Sequence, residues 1–253
     1  MGRRDERRRW PSRTMRSSSL LMTLNSGAGA TYTDKVMGYS PTSLWMLKET
    51  SGAATVSEVS AAQNGTYTGV TLANGTTPWG DPCPYFDGTT AHADIISAAL
   101  TASFPGTEGT LVFWMKAAAG TWTNGTSGTP FHVQGNGGQS RVSIFKESGN
   151  NEMKWWYRAD GESDTVTDNA MASYDWYQIA MTWSDSANEM KAYKNATQTG
   201  ATKAANSTWS DPLDTAFIGS LSSGSTEFIG WMAGVAIFGS VLTQPQLADL
   251  YTY

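Results

Sequence analysis

Three carboxylates fall within five residues, at Asp160, Glu162 and Asp164. Two carboxylates at a defined separation can cleave a glycosidic bond. Clustered oxygen ligands in a flexible loop can instead hold calcium. The run Asp160-Gly161-Glu162-Ser163-Asp164 is expected to be a solvated loop or edge strand, with calcium the one cofactor its oxygens suit and no catalytic residue assigned. The two histidines, His92 and His132, stand far apart and outside any H-x-x-x-H spacing, so zinc and triad chemistry find no footing. No phosphate loop or dinucleotide fingerprint occurs.

Sugar recognition needs less. An aromatic ring stacks on the apolar face of a pyranose while amides and carboxylates bind its hydroxyls. The loop candidates for this are Trp79, Asp81, Trp122, Asn124, His132, Asn136 and Trp209. Trp122 leads them, because it lies in the turn-rich string GTWTNGTSGT over 120–129. The competing reading for each is a half-buried loop anchor. Trp155 and Trp156 are adjacent on an expected strand and so must point to opposite faces.

These side chains sit in a 253-residue chain with 15% charged residues, 26 glycines and 11 tryptophans. Few charges with much Gly, Thr and Trp predict many short strands and turns. The single cysteine, Cys83, excludes an internal disulfide and reads as a small buried residue. Arg3, Arg4, Arg7, Arg8, Arg9, Arg13 and Arg16 face only Asp5 and Glu6. That is a net of +5, so the rest of the chain carries −10 of the overall −5. An acidic body is a poor fit to nucleic acid. No window is long and apolar enough for a membrane span, and the short Leu20–Leu24 run is too weak for a signal peptide. Residues 1–42 read as a basic, small-residue arm, either a disordered tail or an extended arm in which Arg3, Arg4, Arg7, Arg8, Arg9 and Trp10 engage a neighbouring subunit.

From Ser43 onward the elements that would position a site are extended. Strands are expected over 43–48, 109–117, 141–147, 152–158, 175–183, 189–195 and 230–238. Alternation is clearest in 176–183, where Tyr177, Ile179, Met181 and Trp183 form the core parity and Gln178 and Thr182 face outward. Ser184–Asn188 is expected to turn this strand into an antiparallel hairpin. Thr243-Gln244-Pro245-Gln246 is a capping box that opens a helix over about 244–251, closed by a Leu242–Leu247 staple.

The chain resembles laminin-G-like members of the concanavalin A-like lectin/glucanase superfamily. The resemblance rests on SLWMLKETSG (43–52), PYFDGTTAHADI (84–95), GTLVFWMKA (109–117), WYQIAMTWSDSANEMKAYKNA (176–196) and FIGWMAGVAIFGSVLTQPQLADLY (228–251). It implies an all-β, two-sheet antiparallel jelly-roll sandwich over 43–253 with a short C-terminal helix. Three departures stand out. Ala196 follows the turn Asn195 where glycine is usual, Ala233-Gly234 replace an Asp-Glu pair, and Glu58 is the nearest acid after the opening turn. The Glu-x-Asp-x-x-Glu string of the superfamily's glucanases is absent.

The reading that follows is a non-catalytic module for recognition or assembly: a structural, decoration or adhesion protein of a phage-like particle, on a virion or extracellular surface. Its expected partners are other subunits, through the arm, and a glycan. The alternatives are a glucanase-like glycoside hydrolase or a secreted soluble lectin.

Overall fold

The structure is a computed structural model that describes residues 30–252 apart from 150, 151, 206, 210, 223 and 224. Arg3, Arg4, Arg7, Arg8, Arg9 and Trp10 lie outside the described residues. The strands in chain order are β1 (Ser43–Trp45), β2 (Ala54–Thr55), β3 (Gly65–Thr68), β4 (Thr71–Thr76), β5 (Pro82–Asp87), β6 (His92–Asp94), β7 (Glu108–Ala117) and β8 (Gly128–Gly135). They continue with β9 (Ser140–Lys146), β10 (Met153–Ala159), β11 (Glu162–Asp168), β12 (Trp176–Ser184), β13 (Glu189–Lys194), β14 (Thr197–Lys203), β15 (Leu213–Ile218) and β16 (Ile229–Phe238). Helices α1 (Tyr32–Met37), α2 (Ala98–Ser103) and α3 (Gln244–Tyr251) complete the set.

Two antiparallel eight-stranded sheets form a jelly-roll sandwich. The first runs β14-β13-β12-β7-β16-β5-β4, with β1 paired to β16, and the second runs β11-β10-β9-β8-β15-β6-β3-β2. The expected hairpin is β12–β13, with Trp183 opposite Met190. Ile179, Met181 and Trp183 are buried between the sheets, beside Trp45, Phe113, Ile144 and Trp155. Period-two burial therefore holds the layers together, as the alternation of 176–183 predicts. Cys83 is fully buried, and burial pushes its thiol up to about 11, so it is an inert packing residue.

The outward parity of β12 is not solvated. Gln178 is 0% exposed and Thr182 2% exposed, because α1 and α3 cover this face of the first sheet. Tyr32, Val36, Leu247 and Leu250 pack there on Val112, Trp114, Ala180 and Phe238 as a second apolar cluster. Both helices start with the same device. Thr243 and Gln246 form the expected capping box of α3, and Thr31 with Asp34 forms one for α1. Lys35 then pairs with Asp249 at 3.2 Å, and Tyr39 donates to the same carboxylate at 2.8 Å.

The compact unit consequently begins at Thr31, not Ser43. Residues 31–42, assigned to the arm from sequence, belong to the sandwich because Tyr32 is buried and its hydroxyl accepts the Trp114 Nε1–H at 2.9 Å. Removing residues 1–30 is expected to leave denaturation midpoints unchanged. Removing 1–42 should cost roughly 3–6 kcal/mol, the burial of Tyr32 and Val36. Equal midpoints for the two truncations, in urea melts, would refute the docking of α1.

Candidate functional site

The acids at 160–164 form the β10–β11 hairpin rather than a cation cage. Asp160 occupies the turn at φ 45°. Asp164 lies opposite Tyr157, on the core parity, and reaches across the sandwich rim to Lys203 at 3.3 Å. Asp168, further along β11, does the same with Lys194 at 2.8 Å. These carboxylates clamp one sheet to the other at its edge. Among the described residues no three His, Cys, Asp or Glu side chains gather to hold a metal.

Most of the expected sugar contacts are structural. Trp122 is 4% exposed and packs in the main core. Its loop is stapled from beneath by Lys146, whose buried ammonium donates to Thr126 O at 2.6 Å and Asn124 Oδ1 at 3.2 Å. Asn124 is exposed, but its side-chain oxygen is thus engaged within the chain. Trp209 is buried and donates to Asp211 O at 2.9 Å. Trp79 stacks on Tyr32 with centroids 4.1 Å apart, and its Nε1–H is held by Asp81 at 3.0 Å. Asn136 sits alone at an exposed turn with φ 51°. His132 is 1% exposed. Turn-rich composition marks where the chain bends, and large rings in such bends are drawn inward as anchors.

The site the structure does build lies on the outer face of the second sheet. Across β8, β9, β10 and β11, His132, Ser143, Trp156 and Thr165 are register partners in one row. Gln134, Arg141, Arg158 and Ser163 form the next row. Alternation sends Val142, Ile144 and Trp155 into the core and leaves Arg141, Phe145 and Trp156 partly exposed on the outside. With Ser127, Thr129, Ser143, Leu221 and Thr226 they line a pocket of ≈ 190 Å³. A larger cleft of ≈ 270 Å³ beside Trp209 presents one acid, Asp211, and that carboxylate already accepts from Ser140 at 2.8 Å.

Electrostatics single out Arg141. Its guanidinium lies 4.3 Å from the centre of the Trp156 ring, a cation–π contact. Its Nε is buried without an acceptor. No carboxylate lies within ion-pair distance of it among the described residues. Burial, and then the neighbouring Arg158, lower its pKa. Arg158 is itself held by neutral acceptors, at Gly161 O, Gly138 O and Gln139 Oε1. Gly138 makes room for the cation: a Cβ there, at φ +89°, would stand 2.3 Å from an Arg141 terminal nitrogen.

Next to the pocket residue Ser143, His132 bridges Ser143 Oγ and Gln134 Oε1, each at 3.2 Å. The amide oxygen can only accept, so the imidazole proton belongs on Nε2. Burial, reinforced by the Arg141 charge, depresses this histidine to about 4. This histidine is therefore neutral at pH 7, and the one charged residue among those lining the pocket, Arg141, is positive. An acceptor-rich anion can meet it, while the indole of Trp156 offers a flat apolar wall. Sequence reasoning noted Trp156 but missed Arg141. The available signal was the outward parity Arg141, Ser143, Phe145 interleaved with Val142 and Ile144.

A family model described as the concanavalin A-like lectin/glucanases superfamily matches residues 87–248. A search of the curated proteins finds no match. Among solved structures, the chain is similar to the receptor binding domain of botulinum neurotoxin C/D mosaic serotype, at 13% identity and TM-score 0.62, covering 84% of this chain and 51% of that one. The botulinum neurotoxin serotype D ligand binding domain in complex with N-acetylneuraminic acid is similar at 12% identity and TM-score 0.61, covering 86% and 52%. A Trypanosoma rangeli sialidase, in complex with a difluoro-KDN, is similar at 13% identity and TM-score 0.61, covering 83% and 32%. The chain thus spans about half the length of the toxin domains and a third of the sialidase. At these identities the likeness is one of fold.

Proposed function

Because the chain belongs to the concanavalin A-like lectin/glucanases superfamily, we propose that it is a non-catalytic glycan-recognition module whose ligand enters the Arg141–Trp156 pocket. The observation that carries this is an unpaired guanidinium lying on an indole inside a pocket. A pyranose stacks on the free face of Trp156, and an acid group on that sugar, carboxylate or sulfate, pairs with Arg141. The complex of a fold neighbour with N-acetylneuraminic acid supports an acid-bearing sugar as ligand class. The module serves on the outside of a larger assembly, extracellular or virion, with the arginine-rich residues before Thr31 as its attachment. The opposite charge signs of that segment and the acidic remainder support this placement.

A glycan array carrying sialylated, uronate, sulfated and neutral glycans tests the reading. Acid-bearing glycans should bind, and both Trp156→Ala and Arg141→Met should weaken them about tenfold or more. An array without signal, or variants that bind as the parent does, would overturn it. Release of sugar from a polysaccharide panel would overturn the non-catalytic assignment.

A further inference from the structure

The first sheet carries a second set of rings, partly exposed on its outer face, at the border of the cluster under α1 and α3, against which Trp176 packs. Tyr85, Trp231, Lys116 and Trp176 are register partners on four adjoining strands, β5, β16, β7 and β12. All four are partly exposed. Side by side they make a straight row of ring, ring, cation and ring. Three strand intervals give it a length of about 14 Å. The Tyr85 and Trp231 centroids are 5.0 Å apart. The Lys116 ammonium lies 4.5 Å from the Trp231 ring and 5.3 Å from the Trp176 ring. Tyr174, 60% exposed, extends the patch beside Trp231. Asn74 Oδ1 accepts the Trp231 Nε1–H at 3.2 Å and fixes that ring.

Two features decide what such a row takes. It is a line of rings on four adjoining strands, which favours a ligand that is itself a strip of stacked faces. Its centre is a cation with no carboxylate within ion-pair distance among the described residues. An apolar protein surface would strip water from that ammonium and return nothing. The arginine-rich N-terminal segment, at a net of +5, would bring like charge. We propose that the Tyr85–Trp231–Lys116–Trp176 row is a second binding site, which takes a linear acidic polysaccharide laid across the strands. At least three pyranose units stack on the rings, and one acid group pairs with Lys116. The proposal does not depend on the Arg141 pocket, which lies on the other sheet and takes a single sugar.

The test is titration calorimetry of the full chain with oligogalacturonates of two to six units, and with cello-oligosaccharides of the same lengths. Affinity for oligogalacturonates should rise with length up to three units or more. Trp231→Ala should weaken the hexamer about tenfold or more. In an Arg141→Met background, which silences the pocket, Lys116→Met should bring acidic and neutral ladders to the same affinity. Trp156→Ala should leave the length dependence intact, which separates failure of this site from failure of the pocket. Length-independent binding, equal binding of the two ladders by the parent, or variants that bind as the parent does would overturn the proposal. So would a parent dimer in light scattering that Trp231→Ala converts to monomer, since the row would then be a protein contact.

Discussion

Trp183→Ala is expected to destabilise the sandwich by roughly 3–5 kcal/mol, the cost of truncating a large ring in a core that cannot collapse around the void. Trp183 is 1% exposed. Its ring is stacked near Phe104 and Tyr157, at centroid distances of 6.1 and 6.3 Å. It therefore bridges α2's exit to both sheets. Its Nε1–H donates to Pro105 O at 2.9 Å, and truncation leaves that carbonyl without its partner, which adds about 1 kcal/mol. The strand beside it is shaped for the ring: a Cβ on Gly109, its register partner, would stand 2.6 Å from it. Trp183→Phe keeps the stacking but loses the hydrogen bond, and should cost about 1–2 kcal/mol. Urea denaturation at constant slope measures both. A loss under 1 kcal/mol for the alanine variant would show that the ring does not seal the layers. Tyr174→Ala, at a 60% exposed position, should leave the midpoint within ~0.5 kcal/mol of the parent.

The second large effect is an acid transition set by His132. In the unfolded chain the ring takes up a proton near its ordinary 6.5. In the fold, burial first and the Arg141 charge second hold it unprotonated down to about 4. Between those values the unfolded state binds the proton and the native state does not. Stability is then complete above pH 6.5 and falls as pH drops toward 4, by about 3 kcal/mol in all. His132→Gln, which cannot titrate, should flatten the profile across this window. Carboxylates whose pKa values the fold lowers, such as Asp87 at about 2, act below it: their share is lost as pH falls from 3.8 toward 2. Denaturation midpoints at pH 7, 6, 5 and 4 for parent and variant measure the difference. Parallel profiles would show that the ring is protonated in the native state.

The layers were legible because large rings and branched residues alternate in segments such as 176–183, and that pattern survives whatever the connectivity. The closing helix was legible because Thr243 and Gln246 state its start locally. The covering of the first sheet was not. Gln178 and Thr182 look like solvent-facing residues in isolation, and only the fold reveals that α1 and α3 lie over them. The first helix was hidden because TYTDKVM sits behind a stretch of small residues, with aspartate rather than glutamate closing its box. The site misled for a related reason. Trp122 and Trp209 lie in bends, and nothing in a single sequence tells an anchoring ring from a presented one. Arg141 carries no motif at all. Its meaning comes from Trp156, which the chain brings beside it only through the β9–β10 pairing.

The Lys35–Asp249 pair fastens the first and last helices of the unit to each other. The two ends of the described unit, Thr31 and Thr252, therefore lie near each other, and the Lys35 ammonium also donates to Thr252 O at 3.2 Å. Closing the gap between those ends with a short glycine linker should yield circular permutants that still fold, with new openings cut at distant surface turns.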